Sequence, residues 1–145
     1  MECKMRHYFA YGSNMDRAHM AKLCPRAEAL GPALLKDHRF FIAHGGYGSV
    51  ARKRNSVVHG VLWRIAARDL IALDAYESIG DGLYQHALLP VHWDNKLLKA
   101  LVYVANDARP GRPRPQYRDL VLSAARDWSL PDDYVQTVDR EMLLP

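Results

Sequence analysis

Val57-Val58-His59-Gly60-Val61-Leu62-Trp63-Arg64-Ile65 is the clearest structural signal in the chain. Its β-branched and aromatic residues read as a strand. Gly60 inside it marks a bulge or a close approach by another stretch of backbone. Upstream, residues 27–35 and 38–43 read as two further strands, with Lys36-Asp37 as the turn between them. Gly45-Gly46-Tyr47-Gly48 is a flexible loop, residues 49–51 a short strand, and Arg52-Lys53-Arg54-Asn55 a basic turn. Downstream, residues 66–76 are helical, with Leu70, Leu73 and Asp74 at i, i+3 and i+4 and Ile71 widening the apolar face. Strands follow at 83–93 and 99–105, joined by the turn Asp94-Asn95.

The ends of the chain add helices. Residues 7–11 form a short aromatic strand that Gly12-Ser13-Asn14 breaks. Asn14 is placed to cap a helix over 15–23, with Asp16 in its first turn and Pro25 as its stop. Residues 108–115 hold three prolines and three arginines and read as a stiff, exposed connector. Helices follow at 116–128 and 131–142. Six or seven strands, adjacent in sequence and without regular helical crossovers, predict an α+β fold. Its sheet is expected to be a small mixed, largely antiparallel β-barrel with flanking helices, in one domain spanning residues 1–145.

Composition narrows the class. The 145 residues are 49% hydrophobic, and a domain of that size buries roughly 68–70% of its unfolded surface. It needs no metal or disulfide to fold. Cys3 and Cys24 are the two cysteines and form no C-x-x-C pair, which predicts reduced thiols in a cytoplasmic protein, with a bridge as the alternative. Residues 1–6 are charged and lead into no apolar h-region, so no signal peptide is expected. No apolar run approaches the ~18 residues that span a bilayer. The net charge of +4 comes from scattered basic residues. It suits solubility, an anionic small substrate or nucleic acid, but the clusters Arg52-Lys53-Arg54 and Arg109, Arg112, Arg114 lack interleaved aromatics. No nucleic-acid partner is therefore expected. The seven histidines show no metal-ligand spacing, and neither a Walker loop nor a G-x-S-x-G elbow is present.

Two features point to chemistry. Tyr11-Gly12-Ser13-Asn14 ends a strand before a helix and presents unpaired N–H groups that can bind a carboxylate or carbonyl oxygen. An ordinary capped turn has the same pattern. Glu77 closes a helix at the end where the dipole disfavours a carboxylate. A residue that breaks a local rule is a candidate for function, although a solvated Glu also satisfies the pattern.

Tyr8-Phe9-Ala10-Tyr11-Gly12-Ser13-Asn14-Met15 resembles the opening of the γ-glutamylcyclotransferase (AIG2-like) family. Further points of resemblance follow in order: Gly60-Val61-Leu62-Trp63, Leu73-Asp74-Ala75-Tyr76-Glu77, Gly82-Leu83-Tyr84, Pro113-Arg114-Pro115-Gln116-Tyr117, and Leu130-Pro131 before Tyr134. The resemblance implies the small mixed barrel of that family and release of 5-oxoproline from a γ-glutamyl amide. It implies Glu77 as the acid/base, and Tyr11, Gly12, Ser13, Asn14 and Met15, with Tyr84 and Tyr117, as the substrate site. The partner would be a small γ-glutamyl molecule, with no cofactor, metal or membrane involved. The substrate's own α-amine would be the nucleophile. The family often has Gly directly after the glutamate where this chain has Ser78, which bears on substrate choice. A non-catalytic module binding an anionic amino-acid-like ligand, or a γ-glutamyl amide hydrolase, would use the same pocket. The leaving amine and the oligomeric state, a homodimer included, are left open.

Overall fold

The computed structural model describes residues 5–143. Its strands are β1 (Arg6–Ala10), β2 (Glu28–Ile42), β3 (Gly48–Ile65), β4 (Tyr84–Trp93) and β5 (Lys96–Ala105). They close into a barrel in the order β1-β3-β2-β4-β5. Every neighbouring pair is antiparallel except β1 with β5, where Tyr8 sits opposite Leu101 in parallel. Four helices flank it: α1 (Arg17–Leu23), α2 (Ala67–Tyr76), α3 (Pro115–Asp127) and α4 (Asp132–Leu143). The expected mixed, largely antiparallel barrel is the observed one.

The strand count is lower than expected for a physical reason. Lys36-Asp37 and Arg52-Lys53-Arg54-Asn55 do not end strands; they lie inside β2 and β3. Asp37 and Asn55 take left-handed φ angles of 59° and 67°, which Asp and Asn tolerate better than other non-glycine residues. The ladder jumps register there, from Lys36 opposite Val57 to His38 opposite Arg52. The Asn55 N–H donates to the Asp37 carboxylate at 3.1 Å across the irregularity. The turn chemistry in the sequence therefore makes a bulge in two long strands.

The first helix also differs from expectation. A 3₁₀ turn, Ser13–Met15, precedes α1, and Asp16 is the cap, its carboxylate accepting from His19 N–H at 2.8 Å. Asn14 is freed from capping and lies buried inside. In α2, Ile71 does not widen the buried face; it is 72% exposed while Leu73 is fully buried. At the N-terminus of α2, the buried Asp69 carboxylate accepts from Ala66 N–H at 3.0 Å, satisfying one otherwise orphaned donor. α3 begins with Pro115 and buries Tyr117, Val121, Leu122, Ala124 and Ala125, one stripe at helical spacing. That stripe carries Tyr117 into the barrel mouth.

Phe9, Leu35, Val58, Val61, Leu62, Ile65, Val91 and Val102 are fully buried and form the barrel core. Gly60 allows β1 to lie flat on β3: a Cβ there would strike the Ala10 carbonyl and come within 2.7 Å of the Phe9 ring. Cys24 is a buried free thiol, pushed up to about 12 by burial; Cys3 lies outside the described residues. Among the described residues no helix is long and apolar enough to cross a membrane.

Gly60→Ala should destabilise the fold by about 2 kcal/mol or more, because backbone and a core ring, not a flexible tip, occupy the space. Gly80→Ala, where nothing lies within 4 Å, should change stability by less than about 0.5 kcal/mol. Urea denaturation of both variants reads the contrast, and equal midpoints would contradict the packing argument.

Candidate active site

A cavity of about 220 Å³ opens at one end of the barrel. Seven of the eight tyrosines in the chain line it, so where each hydroxyl proton goes decides what the wall can bind.

Gly48, the first residue of β3, organises that wall. Its carbonyl accepts from Tyr84 hydroxyl at 2.7 Å and, more weakly, from Tyr11 hydroxyl at 3.4 Å. Its N–H donates to Tyr117 hydroxyl at 2.9 Å. Tyr11 also donates to the Tyr103 carbonyl at 2.5 Å. Two glycines make room for Tyr117: a Cβ on Gly48 would sit 2.6 Å from its hydroxyl, and one on Gly12 would collide with the same oxygen. Tyr47 packs edge-on against Tyr117 at 5.2 Å, and the Arg114 guanidinium lies over Tyr47 at the same distance. Arg114 is thus held at the cavity mouth, whereas Arg109 pairs with Asp107 at 2.7 Å.

A hydroxyl that donates has only lone pairs left to offer, and one that accepts keeps its proton. Tyr84 and Tyr11 have given their protons to carbonyls. Tyr117 accepts from Gly48 and keeps its own. Tyr8 also keeps its proton, since its hydroxyl accepts from the Asn14 amide at 2.8 Å. The same amide nitrogen reaches Glu77 Oε1 at 3.4 Å. Asn14 therefore joins β1 to the end of α2 through the buried turn. The backbone N–H groups of Gly12, Ser13 and Asn14 find no acceptor among the described residues. All three residues line the cavity.

Glu77 is the C-cap of α2, and its N–H closes onto the Leu73 carbonyl at 2.8 Å. Beyond it the helix ends in a Schellman motif. Ile79 N–H reaches back to Asp74 carbonyl at 3.1 Å and Ser78 N–H to Ala75 carbonyl at 3.3 Å. Ser78 holds the left-handed position of that motif, φ 56°. Glycine takes this conformation freely, and serine carries a small strain here. The Glu77 carboxyl is half-buried, and burial pushes it up to about 7. No lysine, arginine or histidine among the described residues lines the cavity.

The fold thus brings Tyr11, Gly12, Ser13, Asn14, Glu77, Tyr84 and Tyr117 to one cavity. Met15 is placed elsewhere: it is buried in the hydrophobic core, and its carbonyl accepts from Trp128 indole at 2.7 Å. Six further wall residues had no assignment in the sequence: Tyr8, Tyr47, Gly48, Tyr76, Leu83 and Tyr103. Tyr8 lay inside a quoted motif and Tyr47 and Gly48 in a glycine loop. Tyr103 sits mid-strand with no local signal.

The family model "Gamma-glutamyl cyclotransferase, AIG2-like" matches residues 8–130. The gamma-glutamylcyclotransferases of Mus musculus and Homo sapiens are each 27% identical over 140 residues, covering 88% of this chain and 73% of theirs. A solved structure of a gamma-glutamyl cyclotransferase superposes with a TM-score of 0.86 at 23% identity, covering 93% of this chain and 86% of that one, which shows a shared fold. With a match that runs from β1 past the end of α3, the chain belongs to the gamma-glutamyl cyclotransferase, AIG2-like, family.

Proposed function

We propose that this protein is a γ-glutamylcyclotransferase-type enzyme that releases 5-oxoproline from a γ-glutamyl amide. The observation that carries the reading is the pairing of Glu77, a carboxyl raised to about 7, with a cavity wall divided into donors and acceptors. Free N–H groups at Gly12, Ser13 and Asn14 and the unspent protons of Tyr8 and Tyr117 form the donor side. Such donors suit a carboxylate and a carbonyl oxygen. Glu77 and the lone pairs of Tyr84 form the acceptor side, which suits an ammonium.

In the proposed reaction the substrate's α-ammonium gives one proton to Glu77. The freed amine attacks the γ-carbonyl carbon, and a C–N bond forms as five-membered ring closure begins. Glu77 returns its proton to the leaving nitrogen as the old amide C–N bond breaks. The second proton lost by the attacking nitrogen ends on the departing amine, which leaves as an ammonium ion. No water is consumed and no side-chain nucleophile is used. The tether itself supplies much of the rate.

Burial of Glu77 matters energetically. An ordinary Glu would accept a proton from an α-ammonium of pKa ~8 at a cost of about 5 kcal/mol. A carboxyl near 7 lowers that to about 1.4 kcal/mol.

Glu77→Gln keeps the shape and removes the base. It should leave the fold intact and lower 5-oxoproline release by about 10²–10⁴-fold. Mass spectrometry over a panel of γ-glutamyl compounds gives the readout, and release at the parent rate would refute the assignment.

The pH profile is a second check. Glu77 acts ionised, so kcat/KM should climb with pH along a limb centred near 7. A limb near 4–5, where an exposed Glu titrates, would show that burial does not tune the group.

Stability should move the other way. The folded-state value lies above the unfolded one, so the contribution is fully present below about pH 4.5 and is lost as pH rises through about 7. Glu77→Gln removes this liability. At pH 8 it should be the more stable protein by on the order of 3 kcal/mol, and at pH 4 the difference should vanish. Thermal melts at both pH values test this; equal pH dependence in the two proteins would count against a buried carboxylate.

A further inference from the structure

Asp74 belongs to the segment Leu73-Asp74-Ala75-Tyr76-Glu77, yet the chemistry above gives it no task. It lies three residues before Glu77, so both project from one face of the last turn of α2. Its Oδ1 takes two short hydrogen bonds, from Tyr103 hydroxyl and from His86 Nε2, each 2.6 Å. Tyr103 has one hydroxyl proton, and Asp74 holds it. Toward the cavity that Tyr103 lines, its oxygen can offer only lone pairs, and the negative partner polarises the O–H and enriches that oxygen in charge.

The side chain is fixed along its length. Its ring meets Tyr8 edge-on at 5.8 Å and His86 at 5.3 Å. Its own carbonyl is held by Tyr11. His86 stands on β4, with Tyr103 facing it on β5 in the ladder. The His86 ring thus braces Asp74 from the solvent side.

We propose that Asp74 is a positioning residue: by taking the Tyr103 proton it makes that hydroxyl an acceptor for the substrate α-ammonium, and so holds the attacking nitrogen beside Glu77. This inference rests on the cyclotransferase reading, with a test that separates the two. A purely structural bond between α2 and the barrel would serve every ligand alike. The proposed role serves only ligands that carry the amine.

The probes are γ-glutamylmethylamide and its counterpart without the α-amine, glutaric acid monomethylamide, which cannot cyclise. KM is read for the first and the competitive inhibition constant for the second; calorimetry gives the affinity of the parent protein for both. Tyr103→Phe and Asp74→Ala should each raise KM about tenfold or more, the scale of a lost hydrogen bond to a charged group. Inhibition by the amine-free compound should be unchanged. Asp74→Asn still offers an oxygen to Tyr103 but not the charge, and should raise KM by less than Asp74→Ala does. The double variant Asp74→Ala, Tyr103→Phe should be no worse than Tyr103→Phe alone, because both act through one hydroxyl.

A parallel rise in KM and inhibition constant would make the contact structural and overturn the proposal, as would additive losses. Should the parent bind γ-glutamylmethylamide more tightly than the amine-free compound but release no 5-oxoproline, the cyclotransferase reading fails and the ammonium site stands. Should it release 5-oxoproline and Tyr103→Phe leave KM unchanged, the reverse holds. Binding of neither compound, without turnover, defeats both.

Discussion

The three hydrogen bonds at Gly48 are the constraint on which the cavity depends. One peptide carbonyl takes the Tyr84 hydroxyl proton from β4 and makes a longer, secondary contact with Tyr11, whose proton lies mainly on the Tyr103 carbonyl, and one N–H fixes the tyrosine that α3 delivers. Three segments far apart in sequence therefore meet on a single residue with no side chain. The absence of that side chain is required, because a Cβ would occupy the space of Tyr117 hydroxyl and the Phe40 ring. Since a phenol has one proton, tying each hydroxyl to the backbone also fixes its polarity toward the cavity. The ladder that places Gly48 opposite Ile42 thus sets the chemical character of a wall built from other elements.

Glu77 is an energetic exception in this arrangement. Burial raises its pKa, and no cation among the described lining residues offsets the charge. Its position is held by backbone rather than by a counter-ion. The Schellman closure from Ile79 and Ser78 onto Asp74 and Ala75 fixes the helix end, and the Asn14 amide supplies a long hydrogen bond at 3.4 Å. A counter-ion would stabilise the ionised form and return the pKa toward its ordinary range. The left-handed Ser78 and the uncompensated carboxyl are both local costs at one helix terminus. Such costs persist where the surrounding packing over-determines the geometry, as the buried Leu73 does here.

The fold was largely legible because Val57 to Ile65 is rich in β-branched and aromatic residues and the apolar runs around it follow one another without helical crossovers. What could not be read locally was continuity. Asp37 and Asn55 are turn-forming residues, and whether they end a strand or bulge it depends on the partner strand across the ladder. Asn14 shows the same limit at the site. Its residue type suits a cap, but Asp16 takes that role and the Asn14 amide turns inward to Tyr8 and Glu77. Glu77 was visible because it breaks a helix rule. Tyr103 was not, because a tyrosine in a strand breaks none. Met15 sits within the motif, yet it belongs to the core: a contiguous motif on a tight turn must send some side chains away from the cavity.

These observations bear on why tyrosine dominates the wall. On the proposed chemistry the substrate brings its own nucleophile, so the protein has to hold an ammonium, a carboxylate and a carbonyl in fixed relation and move protons. Charged side chains would do the holding more strongly, but each would shift Glu77 out of its useful range. A cation beside it would lower the carboxyl's pKa, and a second carboxylate in direct contact would compete for the proton. Phenols avoid this. Burial raises the pKa of Tyr8, Tyr11 and Tyr117 well above their ordinary value, so they stay neutral. They can then donate or accept according to the backbone group each one meets. Asp74 fits the same logic. Its charge lies one helical turn from Glu77, but it is spent on Tyr103 and on the half-exposed His86, so it polarises the wall while its second partner stays outside the cavity.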